Sequence, residues 1–142
     1  MAIVKKGSAQ WSGGIKEGKG SISTESGALQ DHPYGFATRF EGVKGSNPEE
    51  LIAAAHASCF TMALSLQLEK AGHKAESLET VAAVTLDKEG EGFAVKKSAL
   101  SLTAKVPGIS EEAFMEAANG AKENCPISKL LNTEITLEAT LV

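Results

Sequence analysis

Apolar and polar residues alternate along the opening stretch, from Ile3 to Trp11, and again in a shorter run from Gly20 to Thr24, with Gly13-Gly14 marking a turn between them. Alternation with a period of two is the pattern of a half-buried strand. A turn-rich passage through Gly27, Pro33 and Gly35 leads to residues 36–40, where Phe36, Thr38 and Phe40 share one face of a third strand and Arg39 points to the other. The first third of the chain therefore predicts a small antiparallel meander with Arg39 on a strand near its end.

At Asn47-Pro48-Glu49-Glu50 the pattern changes to a helix start. Asn47 can cap, Pro48 suits the first helical position, and Glu50 sits where a capping-box acid reaches back to the cap amide. The helix predicted from here runs to about Ala71, where Gly72 stops it. At 1.5 Å per residue it is about 36 Å long, close to the full width of a domain of this size. Leu51, Ile52, Phe60, Met62, Leu64, Leu66 and Leu68, with alanines among them, are not confined to one stripe. A helix apolar nearly all round is expected to be buried nearly all round. The rest of the chain offers too little to cover it, which predicts a homodimer with the central helices packed together.

Beyond the helix, 77–87 and 93–106 alternate well and are joined as a hairpin by Glu89-Gly90-Glu91-Gly92, with Leu100, Leu102, Ala104 and Val106 facing inward. Ser110 caps a second helix, with Glu111 and Glu112 in its first turn and its end near Glu123. Cys125-Pro126 opens a short helix over 127–131, and 133–141 is a closing strand. The expected fold is α+β, a single domain over 1–142 whose strands pair in hairpins.

A net charge of -4 without a basic block weighs against nucleic acid or an anionic membrane as a partner. The longest apolar stretch, 51–68, contains His56, Ser58, Thr61, Ser65 and Gln67, more polar groups than a membrane span carries, and the N-terminus lacks the apolar run of a signal peptide. The expectation is a soluble cytoplasmic protein. Two cysteines in a reducing compartment are left to metal binding, catalysis or packing, and two are the minimum for a reversible disulfide. Of 14 basic residues only Arg39 is an arginine, which raises the question of what only a guanidinium can do.

Five side chains stand out. Cys59, in the middle of the long helix, reads either as a small core hydrophobe or as a reactive thiol. Cys125 caps the short helix, so its sulfur lies near unsatisfied amides and the positive end of the helix dipole, an environment that lowers a thiol pKa. Arg39 can stabilise a thiolate and steer a polar substrate, or form a surface ion pair. Glu50 is explained by the capping box alone. Glu50 and Cys59 are nine positions apart, about 180° around an ideal helix and about 13 Å along it, so they cannot meet within one straight helix. A shared site would need an intervening group or a partner subunit. His56, one turn before Cys59, could join Cys59 and Cys125 as zinc ligands, form a Cys-His hydrolytic pair, or be a satisfied core histidine. Neither cysteine belongs to a CxxC pair, and His32 and His73 fall in a loop and at a helix end.

Three segments carry a family resemblance. The block Asn-Pro-Glu-Glu-Leu-Ile-Ala-Ala-Ala-His-Ala-Ser-Cys-Phe-Thr-Met-Ala-Leu-Ser at 47–65, Pro-Tyr-Gly-Phe-Ala-Thr-Arg-Phe at 33–40 and Asn-Cys-Pro-Ile-Ser at 124–128 resemble the OsmC branch of the OsmC/Ohr family, and the likeness spans essentially the whole chain. The Ohr branch places its arginine nearer the N-terminus, where this chain has only Lys16 and Lys19. The resemblance implies a thiol-dependent peroxidase that prefers organic hydroperoxides to hydrogen peroxide. It also implies an intertwined homodimer, its sheets wrapped around paired central helices and its active sites at the subunit interface.

Carried over by position, Cys59 is the peroxidatic thiol, Cys125 the resolving thiol, and Arg39 and Glu50 complete the site. Arg39 is expected from the partner chain, with Glu50 holding the guanidinium. The dipole argument alone favours Cys125 as the more acidic thiol; the resemblance assigns attack to Cys59, and its activation then rests on Arg39. Phe36, Phe60, Met62 and Ile127 are the expected apolar lining for substrate. No cofactor or metal is implied, and an external dithiol, for which lipoylated proteins are suited, restores the thiols. A zinc-binding protein and a non-catalytic dimeric stress protein are the competing classes.

Overall fold

The computed structural model describes all 142 residues. They fall into two units, Met1–Leu51 and Ile52–Val142.

In the first unit, β1 (Gly7–Ser12), β2 (Lys19–Thr24) and β3 (His32–Tyr34) form an antiparallel meander in the order β1-β2-β3, its third strand lying in the passage expected as turn and not at 36–40. Gly20 pairs with Trp11 on one side and Tyr34 on the other. A methyl at this glycine would come within 2.5 Å of the Tyr34 ring and 2.6 Å of the Trp11 ring, so its bareness lets the two aromatics close over the sheet at 5.6 Å between centroids.

The segment expected as a third long strand is instead a short helix, α1 (Phe36–Phe40). Gly35 stands before it in extended backbone, its amide donating to Thr38 Oγ1 at 3.0 Å while the Thr38 hydroxyl donates back to the Gly35 carbonyl at 3.0 Å. That reciprocal pair satisfies groups that a strand would have presented to a neighbour, and no neighbour strand is there to take them. Phe36 and Phe40, one turn apart, lie with ring centroids 5.0 Å from each other.

Helix α2 (Pro48–Lys70) begins as the sequence predicts: Asn47 Oδ1 accepts from the Glu50 amide at 2.8 Å. It ends at Gly72 in the left-handed region, φ 88°, where His73 N–H returns to the Leu68 carbonyl at 2.9 Å. By length and composition α2 could cross a membrane. Here one stripe, His56, Phe60, Leu64 and Leu68, is buried in the second unit's core, whereas Ala54, Ser58, Met62 and Leu66 are all exposed. The two sets are offset by two positions, about 200° around the helix, so they occupy opposite faces. Within one chain α2 is thus half covered, short of the all-round burial expected.

The second unit is built on β4 (Ser77–Glu89), β5 (Gly92–Lys105) and β6 (Glu134–Leu141) in that order. β4 and β5 make the predicted hairpin, turning at Gly90, whose φ of 60° suits a residue without Cβ, and bulging between Thr85 and Leu86. β6 departs from the expectation of hairpin pairing: it runs parallel to β5, from Lys97 opposite Glu134 to Ala104 opposite Leu141. The crossover that a parallel pair requires is supplied by α3 (Glu111–Asn124) and α4 (Pro126–Leu130). Leu100, Leu102, Ala104 and Val106 face inward as predicted and meet Phe60, Leu64 and Leu68 of α2 and Phe114, Ala118 and Ala121 of α3 in one core.

Candidate active site

Cys125 is both the last cap of α3 and the first cap of α4. Its amide donates to the Ala121 carbonyl at 3.0 Å, its carbonyl accepts from the Lys129 amide at 3.1 Å, and its own backbone is extended. The side chain acts as the cap: Sγ accepts from the Ser128 amide at 3.3 Å. This is the position that Cys-Pro at the head of a helix predicts.

Cys59 arrives from α2 at the same helix end. Its sulfur is near enough to the Ile127 amide and to the Cys125 side chain for both to act on its ionisation, while the Ser128 amide serves Cys125. Both cysteines are free thiols. They differ in exposure: Cys125 is fully buried, whereas Cys59 is half-buried and reaches an open groove of about 540 Å³ lined chiefly by Met62, Ala63, Leu66, Ala121 and Pro126. Of the two, Cys59 is the thiol that a molecule from solvent can meet, although it also packs against the core as a small hydrophobe would. Burial pushes its pKa up from the ordinary 9.0; the Ile127 amide pulls it down, and the neighbouring Cys125 pushes it up again.

His56, one turn before Cys59, is fully enclosed. Its Nδ1 lies 2.7 Å from Ser98 Oγ and its Nε2 2.8 Å from Ser128 Oγ. Burial holds the imidazole below its ordinary pKa, in the neutral form. With both ring nitrogens committed to serines, this is a satisfied core histidine, and the ring on which the zinc and Cys-His alternatives depend is already engaged. Ser98 belongs to no motif in the sequence and Ser128 only closes the 124–128 segment; the packing of β5 and α4 against α2 brings both to the ring.

Arg39 lies in the first unit on α1, not on a strand. Its Nε donates to Glu49 Oε1 at 2.9 Å and its Nη2 to Glu49 Oε2 at 3.0 Å. The acid that holds the guanidinium within the chain is thus Glu49 rather than the expected Glu50, whose side chain is exposed at the helix start. Nothing in the local sequence separates two adjacent glutamates; the angle at which α1 meets the first turn of α2 does.

The expected substrate lining divides three ways. Met62, 79% exposed, lines the Cys59 groove. Ile127 is half-buried against the core and contributes its amide. Phe36 lines a smaller apolar pocket of about 280 Å³ in the first unit with Trp11, Ile15, Tyr34, Arg39 and Phe40. Phe60 is a correction: one turn beyond His56 on the buried stripe, it is fully enclosed in the core and lines nothing.

Residues 41–140 match the family model described as OsmC-like protein. Peroxiredoxin OsmC of Escherichia coli (strain K12) is 56% identical over 141 residues, covering 99% of each chain. The organic hydroperoxide resistance protein OhrB of Bacillus subtilis (strain 168) is 30% identical over 122 residues, 84% of this chain and 88% of its own. The crystal structure of B. subtilis OhrB matches the fold with a TM-score of 0.70 at 27% identity, over 99% of this chain and 98% of that one. An OsmC-like protein from Vibrio cholerae, at 20% identity, shares the fold with a TM-score of 0.77 over 97% of this chain and 99% of its own. Family model, full-length relative and fold agree, and the chain belongs to the OsmC-like protein family.

Proposed function

We propose that this protein is a thiol-dependent peroxidase that reduces organic hydroperoxides, with Cys59 as the attacking thiol and Cys125 as the resolving one. The observation that supports this most directly is the nearness of the two reduced cysteines, one reachable from a groove and the other enclosed behind it. The Cys59 thiolate attacks the terminal oxygen of R–O–O–H. The O–O bond breaks, the alkoxide leaves and takes a proton to become the alcohol, and Cys59 becomes a sulfenic acid. Cys125 then displaces hydroxide from that sulfur, giving a disulfide and water. An external dithiol, of the lipoyl class, opens the disulfide by exchange and is itself oxidised. The apolar lining of the groove favours alkyl or lipid hydroperoxides over hydrogen peroxide, which has no apolar part to bury.

The same reading includes a homodimer. The exposed face of α2, with Met62 79% and Leu66 51% accessible, is the surface a second copy would cover. A cation is also needed, because burial alone keeps the Cys59 thiol protonated. In this reading the guanidinium of the partner chain's Arg39, held by its own Glu49, supplies the charge, and Glu50 completes the site. The enzyme is cytoplasmic and uses no metal or cofactor.

The test is peroxide consumption with cumene hydroperoxide and dihydrolipoamide. Wild type turns over and Cys59→Ser does not. One equivalent of the peroxide removes two hydrogens from the mass of a single wild-type chain. Thiols that react no faster than free cysteine would overturn the reading, as would a disulfide formed only between chains.

A further inference from the structure

A continuous hydrogen-bonded line crosses the core behind the two sulfurs. It runs from Ser98 Oγ to His56 Nδ1 at 2.7 Å, from His56 Nε2 to Ser128 Oγ at 2.8 Å, and from Ser128 Oγ to Cys125 Sγ at 3.1 Å. Ser98 and His56 have no solvent exposure and Ser128 has 7%. Such groups are costly to bury and are tolerated only when every member is bonded, as here. The residues come from β5, α2 and α4, and their line ends on one reacting atom.

We propose that Ser128, His56 and Ser98 form a proton relay for Cys125 during disulfide formation. Ser128, which touches the reacting sulfur, is its catalytic residue, and His56 and Ser98 act through it as positioning residues. The proposal rests on the peroxidase reading above and deepens it. A neutral imidazole donates from one nitrogen and accepts at the other. With the proton on Nδ1, donated to Ser98 Oγ, Nε2 accepts from the Ser128 hydroxyl, and Ser128 Oγ accepts from the Cys125 S–H.

When Cys125 attacks the sulfenic sulfur of Cys59, the S–S bond forms and the S–O bond breaks. The Cys125 proton passes to Ser128 Oγ as the Ser128 proton passes to Nε2, and the departing hydroxide takes a proton from solvent in the groove and leaves as water. Because the line ends at Ser98 without reaching solvent, the proton has one way back. Once the external dithiol opens the disulfide, the thiolate that Cys125 becomes is reprotonated through Ser128, and His56 returns to the neutral form that its burial favours.

The experiment is a single turnover of the full chain with one equivalent of cumene hydroperoxide and two readouts. Alcohol formed reports the first step. Dimedone-reactive sulfenic acid, giving way to a loss of two hydrogens in mass, reports the second. In Ser128→Ala and His56→Gln the alcohol burst is expected to persist while disulfide formation slows about a hundredfold, the range of general acid–base catalysis. Ser128→Thr, which keeps a hydroxyl, is expected to restore it. Ser98→Ala leaves the sulfur's own contacts intact and should also slow the second step, so the test survives if His56→Gln fails to fold. Disulfide formation at the wild-type rate in Ser128→Ala would overturn the relay and leave the peroxidase reading standing. Absence of both alcohol and disulfide in wild type would overturn the peroxidase reading itself.

Discussion

Arg39 and Glu49 close on each other in a two-point ion pair, Nε to Oε1 at 2.9 Å and Nη2 to Oε2 at 3.0 Å. The carboxylate is the more covered partner, with 12% of its side chain accessible against 37% for the arginine. Two of the five guanidinium donors are engaged in this fork, which fixes the plane of the group and leaves the others to face an anion. An arginine held flat by one carboxylate is pre-organised to stabilise a thiolate, because its ordering does not have to accompany substrate binding.

Glu49→Gln should therefore lower kcat/KM for cumene hydroperoxide about tenfold, equivalent to losing one charge-assisted contact in positioning the guanidinium. Thermal stability should change by less than about 1 kcal/mol, because the pair is partly solvated. Glu50→Gln leaves the in-chain fork intact. Steady-state kinetics on the two variants checks which glutamate matters, and equal losses would argue that the partner subunit brings Glu50 to the same group.

Phe60 and Met62 lie two positions apart on α2 and belong to different environments. Phe60→Ala should destabilise the fold by about 3–5 kcal/mol through the cavity it leaves, seen as a lower denaturant midpoint. Met62→Ala opens no cavity in the chain's own core and should raise KM for bulky hydroperoxides more than for small ones. The same pair of measurements checks the assignment of the Cys59 groove as the substrate's approach.

The sequence carried more of this molecule in its caps than in its periodicities. Asn47, Ser110 and Cys125 each start a helix in the structure, since a cap is decided by one side chain and the amides just after it. The alternation of Phe36, Thr38 and Phe40 misleads because five residues fit a period of two and a single helical turn equally well. There the deciding bond, between Thr38 and Gly35, joins residues three apart. The parallel docking of β6 depends on where α3 and α4 return the chain, which no residue of 134–141 records. At the site, the cap position of Cys125 was legible from Pro126 beside it, whereas the role expected of Cys59 came from the family resemblance and not from its neighbours. Ser98 was not legible, because it stands 42 positions from His56 and becomes its neighbour only when β5 and α2 pack.

One buried titrating group, His56, makes the fold sensitive to acid. His56 keeps a pKa below its ordinary 6.5 because burial penalises the cation. As pH falls below 6.5 the unfolded chain takes up the proton first, so stability falls from there down to the lower folded value and then levels. Denaturation midpoints across pH should show this decline, and His56→Gln should remove it.

The last prediction concerns the uncovered side of α2. Ala54, Ser58, Met62 and Leu66 are exposed at intervals of four, opposite the buried His56, Phe60, Leu64 and Leu68, so the helix has two apolar faces and one chain covers only one of them. Small residues at 54 and 58 permit close helix approach, and each large side chain fully buried there contributes about 1.5–3 kcal/mol. In a homodimer this face is filled by a second copy. Light scattering at micromolar concentration should give twice the chain mass of 14.8 kDa. Met62→Glu combined with Leu66→Glu would bury two unpaired carboxylates and should yield a folded monomer with a lower melting temperature and little peroxidase activity. A stable wild-type monomer that retained full turnover would show that one chain holds the complete site, and the partner-supplied cation would have to be abandoned.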